Sequence, residues 1–96
     1  MEPALKDGQF SSSAGNAGME RVMSEHETSL LRYAARITSS ATAAEDVVQN
    51  VFVKLFRKWR EGEWPAGKIK AWLYRVTHNE AVDYIRGESR LRLLHE

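Results

Sequence analysis

Apolar residues recur at three- and four-residue steps along most of this chain, and no stretch alternates with the period of two that a half-buried strand requires. The clearest stripe is Val48, Val51, Phe52, Leu55 and Trp59, which predicts a helix from Thr42 to Trp59. Thr42 and Glu45 stand at capping-box spacing: the hydroxyl is expected to accept from the Glu45 amide while the carboxylate reaches back. Asp46 places negative charge in the first turn, where the helix dipole favours it. Asp46, Gln49, Asn50 and Val53 fall on another side and leave a mixed surface able to meet a partner.

Two further helices follow from the same periodicity. Met23, His26, Leu30, Tyr33, Ala34 and Ile37 predict a first helix from about Met19 or Ser24 to Thr38, with Ser24 and Glu27 again at capping-box spacing. The polar connection Ser39 to Thr42 is short, so the first two helices should pack antiparallel. After Trp59 the sequence REGEWPAG breaks the helical period with two Gly and a Pro. A third helix is predicted from about Lys68, its stripe made by Ile69, Trp72, Leu73 and Val76. Glu80 and Asp83 then intrude on that side, so the stripe either ends or is completed by ion pairs. Gly87 is expected to close or kink this helix, with SRLRLLHE as a frayed continuation. The predicted fold is all-α, a small three-helix bundle, with a short extra helical element at either end left open.

Composition narrows the class. Ninety-six residues allow one small domain. Residues 1–18 are rich in Ser, Gly, Ala and Asn and poor in large apolar side chains, which predicts a disordered tail ahead of a domain over 19–96. The absence of Cys excludes a disulfide framework, a thiolate metal site and a thiol nucleophile. No apolar run is long enough to span a bilayer and no signal pattern opens the chain, so a cytoplasmic protein is expected. Net charge is +1, yet residues 1–50 carry four Lys or Arg against seven Asp or Glu, while residues 51–96 carry ten against six. This suits a chain with an acidic surface for one partner and a basic surface for another, and a solvated mixed surface equally.

Candidate chemistry points to binding. His26, His78 and His95 lack metal-ligand spacing, and there is no phosphate loop or nucleophile motif, so no metal, cofactor, small-molecule substrate or catalytic role is expected. Arg75, Asn79, Val82 and Arg86 stand four, three and four apart along one side of the third helix. Guanidiniums can hold phosphates, and an amide can offer donor and acceptor to a base edge. Lys68 and Lys70 add positive charge near the helix start. The alternative is a solvated surface with Arg paired to Asp83 or Glu80. Trp64, in the turn-forming loop, either folds onto the core or presents a ring to an unstacked base.

Two blocks carry a family resemblance. AEDVVQNVF and, from Lys70 to Arg86, KAWLYRVTHNEAVDYIR resemble region 2 of bacterial sigma factors, particularly the small extracytoplasmic-function (ECF) group. Trp72, Leu73, Arg75, Asn79, Asp83 and Arg86 fit the second block's pattern, and the resemblance covers roughly Ser24 to Arg92. Asn50, His78, Glu80 and Gly87 depart from the residues usual at their positions.

The resemblance implies a domain that binds core RNA polymerase and recognises the promoter −10 element. Its second helix would meet the clamp helices of the polymerase beta-prime subunit through Asp46, Gln49, Asn50, Val53 and Phe56. Its third helix and the loop before it would lie on DNA through Trp64, Lys68, Lys70, Arg75, His78, Asn79 and Arg86. In such proteins the loop forms a pocket for a flipped base, which carries over to Trp64, Ala66, Gly67 and Lys68. Trp72 is expected in the core, and Leu73 stands where primary sigma factors place a second aromatic. The family also implies an anti-sigma factor as partner and a further helix-turn-helix domain for the −35 element, so residues 1–96 are expected to be one domain of a longer protein. The rival reading is a helical interaction module that holds an anti-sigma factor or other regulator without touching DNA.

Overall fold

The computed structural model describes residues 12–63 and 67–95, which form three helices and, among the described residues, no strand: α1 Ser12–Thr38, α2 Ala41–Arg60 and α3 Ile69–His95. α1 starts earlier than the Met19 or Ser24 read from the sequence, and Ser24 is an exposed residue in its middle, not a cap. The reason lies in packing. Met19 is buried, and Val22 and Met23 pack against the core, so the apolar stripe reaches a turn further back than the Ser- and Gly-rich composition suggested. Of the tail expected over residues 1–18, residues 12–18 lie in α1 and residues 1–11 lie outside the described residues.

The α1–α2 connection corrects the expected cap. Ser39 takes a left-handed φ of 59° and donates its amide to the Ala35 carbonyl at 2.7 Å, which stops α1. The Thr38 hydroxyl donates to the Ala34 and Ser40 carbonyls at 2.9 and 3.1 Å. Ser40 is then extended (φ −152°, ψ 125°), and its Oγ accepts from the Ala43 amide at 3.1 Å. Ser40, not Thr42, is therefore the N-cap. Because Ala43 stands three residues on, no carboxylate can reach back, and Glu45 is exposed in the second turn.

α2 ends on a complete Schellman motif: the Gly62 amide donates to the Trp59 carbonyl at 3.1 Å and the Glu63 amide to the Lys58 carbonyl at 2.8 Å. Gly62 supplies the required positive φ of 74°. α3 begins where the Lys68 carbonyl accepts from the Trp72 amide at 3.0 Å.

α2 is the central element of the core. Val48, Val51, Phe52 and Leu55 are buried as expected, and so are Ala43, Ala44 and Val47, because α1 and α3 both cover α2 and widen its buried arc. Trp59, at the end of the stripe, is only half-buried. α1 contributes Leu30 and Ala34, and α3 contributes Trp72, Leu73 and Ala81. Burial of this set is the main favourable term for so small a domain.

On α3 the stripe continues beyond Val76 by shifting to Thr77, Ala81 and Tyr84. Glu80 turns aside into an ion pair with Lys54 of α2, while Asp83 is exposed. Thr77 is fully buried and its hydroxyl has no hydrogen-bond partner among the described residues. Gly87 does not close α3: the helix runs through it to His95. Glycine disfavours a helix interior by only about 1 kcal/mol, which a helix of this length absorbs.

Candidate nucleic-acid and partner interfaces

Four of the expected DNA residues fall in a line on the outer face of α3. At roughly 100° per residue, Lys68, Arg75, Asn79 and Arg86 fall within about 40° of one direction, opposite buried Thr77. They span about 27 Å at 1.5 Å per residue. Arg75, Asn79 and Arg86 are exposed, and Val82 between them is half-buried. Among the described residues none of the three makes a side-chain hydrogen bond or ion pair. Glu80 pairs instead with Lys54 of α2. Two guanidiniums and one amide thus remain available to a ligand.

The start of α3 carries charge of the sign that helix stability disfavours. Its first turn holds no acidic residue, and Lys68 and Lys70 stand exposed at the positive end of the helix dipole. Local departures of this kind mark functional surfaces, and a helix start ringed by ammonium groups suits phosphate. Beside it lies an open hollow of about 580 Å³ lined by Gly67, Lys68, Ile69, Lys70, Ala71 and Tyr74. Trp64 and Ala66, expected to wall a base pocket here, lie outside the described residues.

His78 and Lys70 are set apart from the Arg75–Asn79–Arg86 line. His78 Nδ1 lies 3.3 Å from the Tyr33 hydroxyl of α1. The Tyr33 ring in turn meets Tyr74 edge to face, 5.2 Å between centres at 68°. Sequence reasoning missed Tyr33 and Tyr74 as surface residues. The spacing of Lys70, Tyr74 and His78 at four-residue steps was a readable signal, but which residue of α1 would meet them was not.

On α2, Asp46, Gln49, Val53 and Phe56 form a second exposed line, with Asn50 on its flank. Val53 is 50% and Phe56 40% exposed. The Phe56 ring lies 6.0 Å from that of Trp59, and the Arg60 guanidinium sits 5.8 Å from its centre. An apolar groove of about 380 Å³ opens alongside, where Met19 and Met23 of α1 face Phe52, Val53 and Phe56. It adjoins a second hollow of about 400 Å³ that reaches Glu27, Leu31, Glu45 and Val48. Glu20, Glu27 and Glu45 line these hollows, so the apolar floor is bordered by acids. Met19 and Met23 were not anticipated as part of this face. Among the described residues, no three or more His, Asp or Glu side chains are placed to hold a metal ion, and no helix is long and apolar enough to cross a membrane.

Residues 22–91 match the protein family described as sigma-70 region 2. The chain is 28% identical over 74 residues to the ECF RNA polymerase sigma factor SigE of Mycolicibacterium smegmatis, covering 77% of this chain and 28% of that protein. It is 40% identical over 68 residues to the ECF RNA polymerase sigma factor SigL of Mycobacterium tuberculosis, covering 68% of this chain and 37% of that protein. The chain therefore corresponds to well under half the length of these curated relatives. No solved structure matches it.

Proposed function

Because the chain belongs to the sigma-70 region 2 family, in the form similar to ECF sigma factors, we propose that it binds core RNA polymerase and recognises the promoter −10 element during transcription initiation. The observation that carries this reading is the line of Lys68, Arg75, Asn79 and Arg86 on the outer side of α3, unpaired among the described residues. The two guanidiniums and the Lys68 ammonium hold phosphates and set the register, while Asn79 meets a base edge. Polymerase docks on the separate α2 face through Asp46, Gln49, Asn50, Val53 and Phe56, against the basic clamp helices of the beta-prime subunit. The loop before α3 takes a flipped base. The domain acts by binding energy, without cofactor or covalent chemistry, in the cytoplasm beside polymerase.

The acid-bordered groove of Met19, Met23, Phe52 and Phe56 favours a second reading, in which a regulator such as an anti-sigma factor covers the α2 face. The two readings separate on deletion of Arg60 to Gly67. A module that only holds a regulator keeps its partner, whereas a promoter reader loses promoter binding in the presence of core polymerase.

A further inference from the structure

The C-terminal end of α3 runs past the bundle. Among the described residues, Tyr84 is the last of α3 that packs against the core, and the helix continues to His95, about 16 Å further. Leu91, Leu93 and Leu94 on this overhang are 58%, 76% and 75% exposed. At roughly 100° per residue, Leu91 stands over buried Leu73, and Leu94 lies about 60° from it. These two therefore carry the core side of α3 beyond the helices that cover it. Arg86 and Arg90 are exposed on the same stretch, and residues 86–95 hold Arg86, Arg90 and Arg92 against Glu88 alone. The overhang is apolar and basic.

The groove between α1 and α2 has the opposite charge and the same length. Its floor is Met19, Met23, Phe52, Val53 and Phe56, bordered by Glu20, Glu27 and Glu45, and no Lys or Arg lines it. From Glu45 to Phe56 it follows α2 for about 16 Å. Thioether side chains adapt their shape to leucines. The chain's own overhang does not reach this groove. Lys54 pairs with Glu80, which sets this part of α2 level with Glu80, and Leu93 stands about 20 Å further along an unbroken helix.

We propose that the groove takes the α3 end of a second copy of this chain, Leu91 and Leu94 entering the apolar floor and Arg90 meeting the acidic border. Reciprocal exchange of the two ends closes the assembly at two copies. A bare helix end would account for the exposed leucines but not for a groove of matching length and opposite charge. Gln49, Val53 and Phe56 belong both to the groove and to the face proposed for polymerase, so the paired chain is closed to polymerase. That consequence rests on the polymerase reading above, whereas the pairing itself does not.

Analytical ultracentrifugation of the full chain at low salt, from about 10 µM to about 1 mM, tests the pairing. The parent is expected to pass from monomer to dimer over this range. Leu94→Ser, at the helix end, and Val53→Glu, in the groove, should each weaken the dimer roughly tenfold or more. An equal mixture of the two variants keeps one sound groove and one sound end, so it should regain part of the association. If Val53→Glu fails to fold by circular dichroism, the exposed Glu45→Lys replaces it. A parent that stays monomeric overturns the pairing and leaves the groove to polymerase or a regulator. A dimer lost in Leu94→Ser but kept in the folded groove variant is a contact of end with end, and also overturns it. Core polymerase is expected to bind Leu94→Ser several-fold more tightly than the parent where the parent is paired, and equal binding overturns the closure. Binding of polymerase by neither chain overturns the polymerase reading and the closure with it, while the sedimentation result still decides the pairing.

Discussion

Lys54 of α2 and Glu80 of α3 form an ion pair across the helix interface, with the Glu80 side chain only 14% exposed and that of Lys54 49% exposed. The pair lets a carboxylate stand at the core edge where the apolar stripe of α3 would otherwise break. Half-exposed pairs of this kind contribute little net stability, because Lys54 returns to water readily. Glu80→Leu is therefore expected to leave unfolding free energy within about 1 kcal/mol of the parent. Urea denaturation checks this, and a loss of several kcal/mol would show that the pair organises the interface.

Backbone strain gives a second expectation. Ser39 holds a left-handed φ without being glycine, and Gly87 sits mid-helix where an added Cβ meets nothing within 4 Å. Ser39→Gly relieves the first and Gly87→Ala removes the entropic penalty of the second, each by roughly 0.5–1 kcal/mol. Thermal melts should rise by a few degrees for each variant. An unchanged or lower midpoint for Gly87→Ala would mean that flexibility, not stability, is kept at that position.

Thr77 offers a third. Its buried hydroxyl has no partner among the described residues, so Thr77→Val keeps the shape and deletes the unsatisfied group. Stability is expected to rise by about 1 kcal/mol. A decrease would point to a bound water at Oγ1.

The three-helix order, the α2 stripe and the glycine-rich break were legible because each rests on local periodicity or turn chemistry. What was not legible depends on neighbours. Val47 is buried because two helices cover α2, and Met19 because α1 extends over Phe52 and Phe56. The Ser40 cap follows from the left-handed turn at Ser39, a conformation that serine rarely takes. The residues of the candidate DNA line could be read from spacing, whereas the pairing of Glu80 with Lys54 could not, since it joins two helices. Tyr33 meeting Tyr74 and His78 required the α1–α3 packing itself.

The polymerase face makes its own prediction. Asp46 and Gln49 are exposed and off the core, so Asp46→Ala and Gln49→Ala should weaken binding to core polymerase by about 1 kcal/mol or more without lowering the melting temperature. A pull-down with unchanged affinity for both variants would remove α2 from the polymerase interface.

The central claim, that the outer face of α3 reads promoter DNA, is tested most directly by Asn79→Ala. Binding is measured with core polymerase on promoters varied through the −10 element. The account predicts that discrimination falls by about 1–3 kcal/mol at one base position for Asn79→Ala. Arg86→Ala should instead weaken binding to every sequence and make its salt dependence shallower. Equal losses on all promoters for Asn79→Ala, or no loss at all, would contradict base reading by α3.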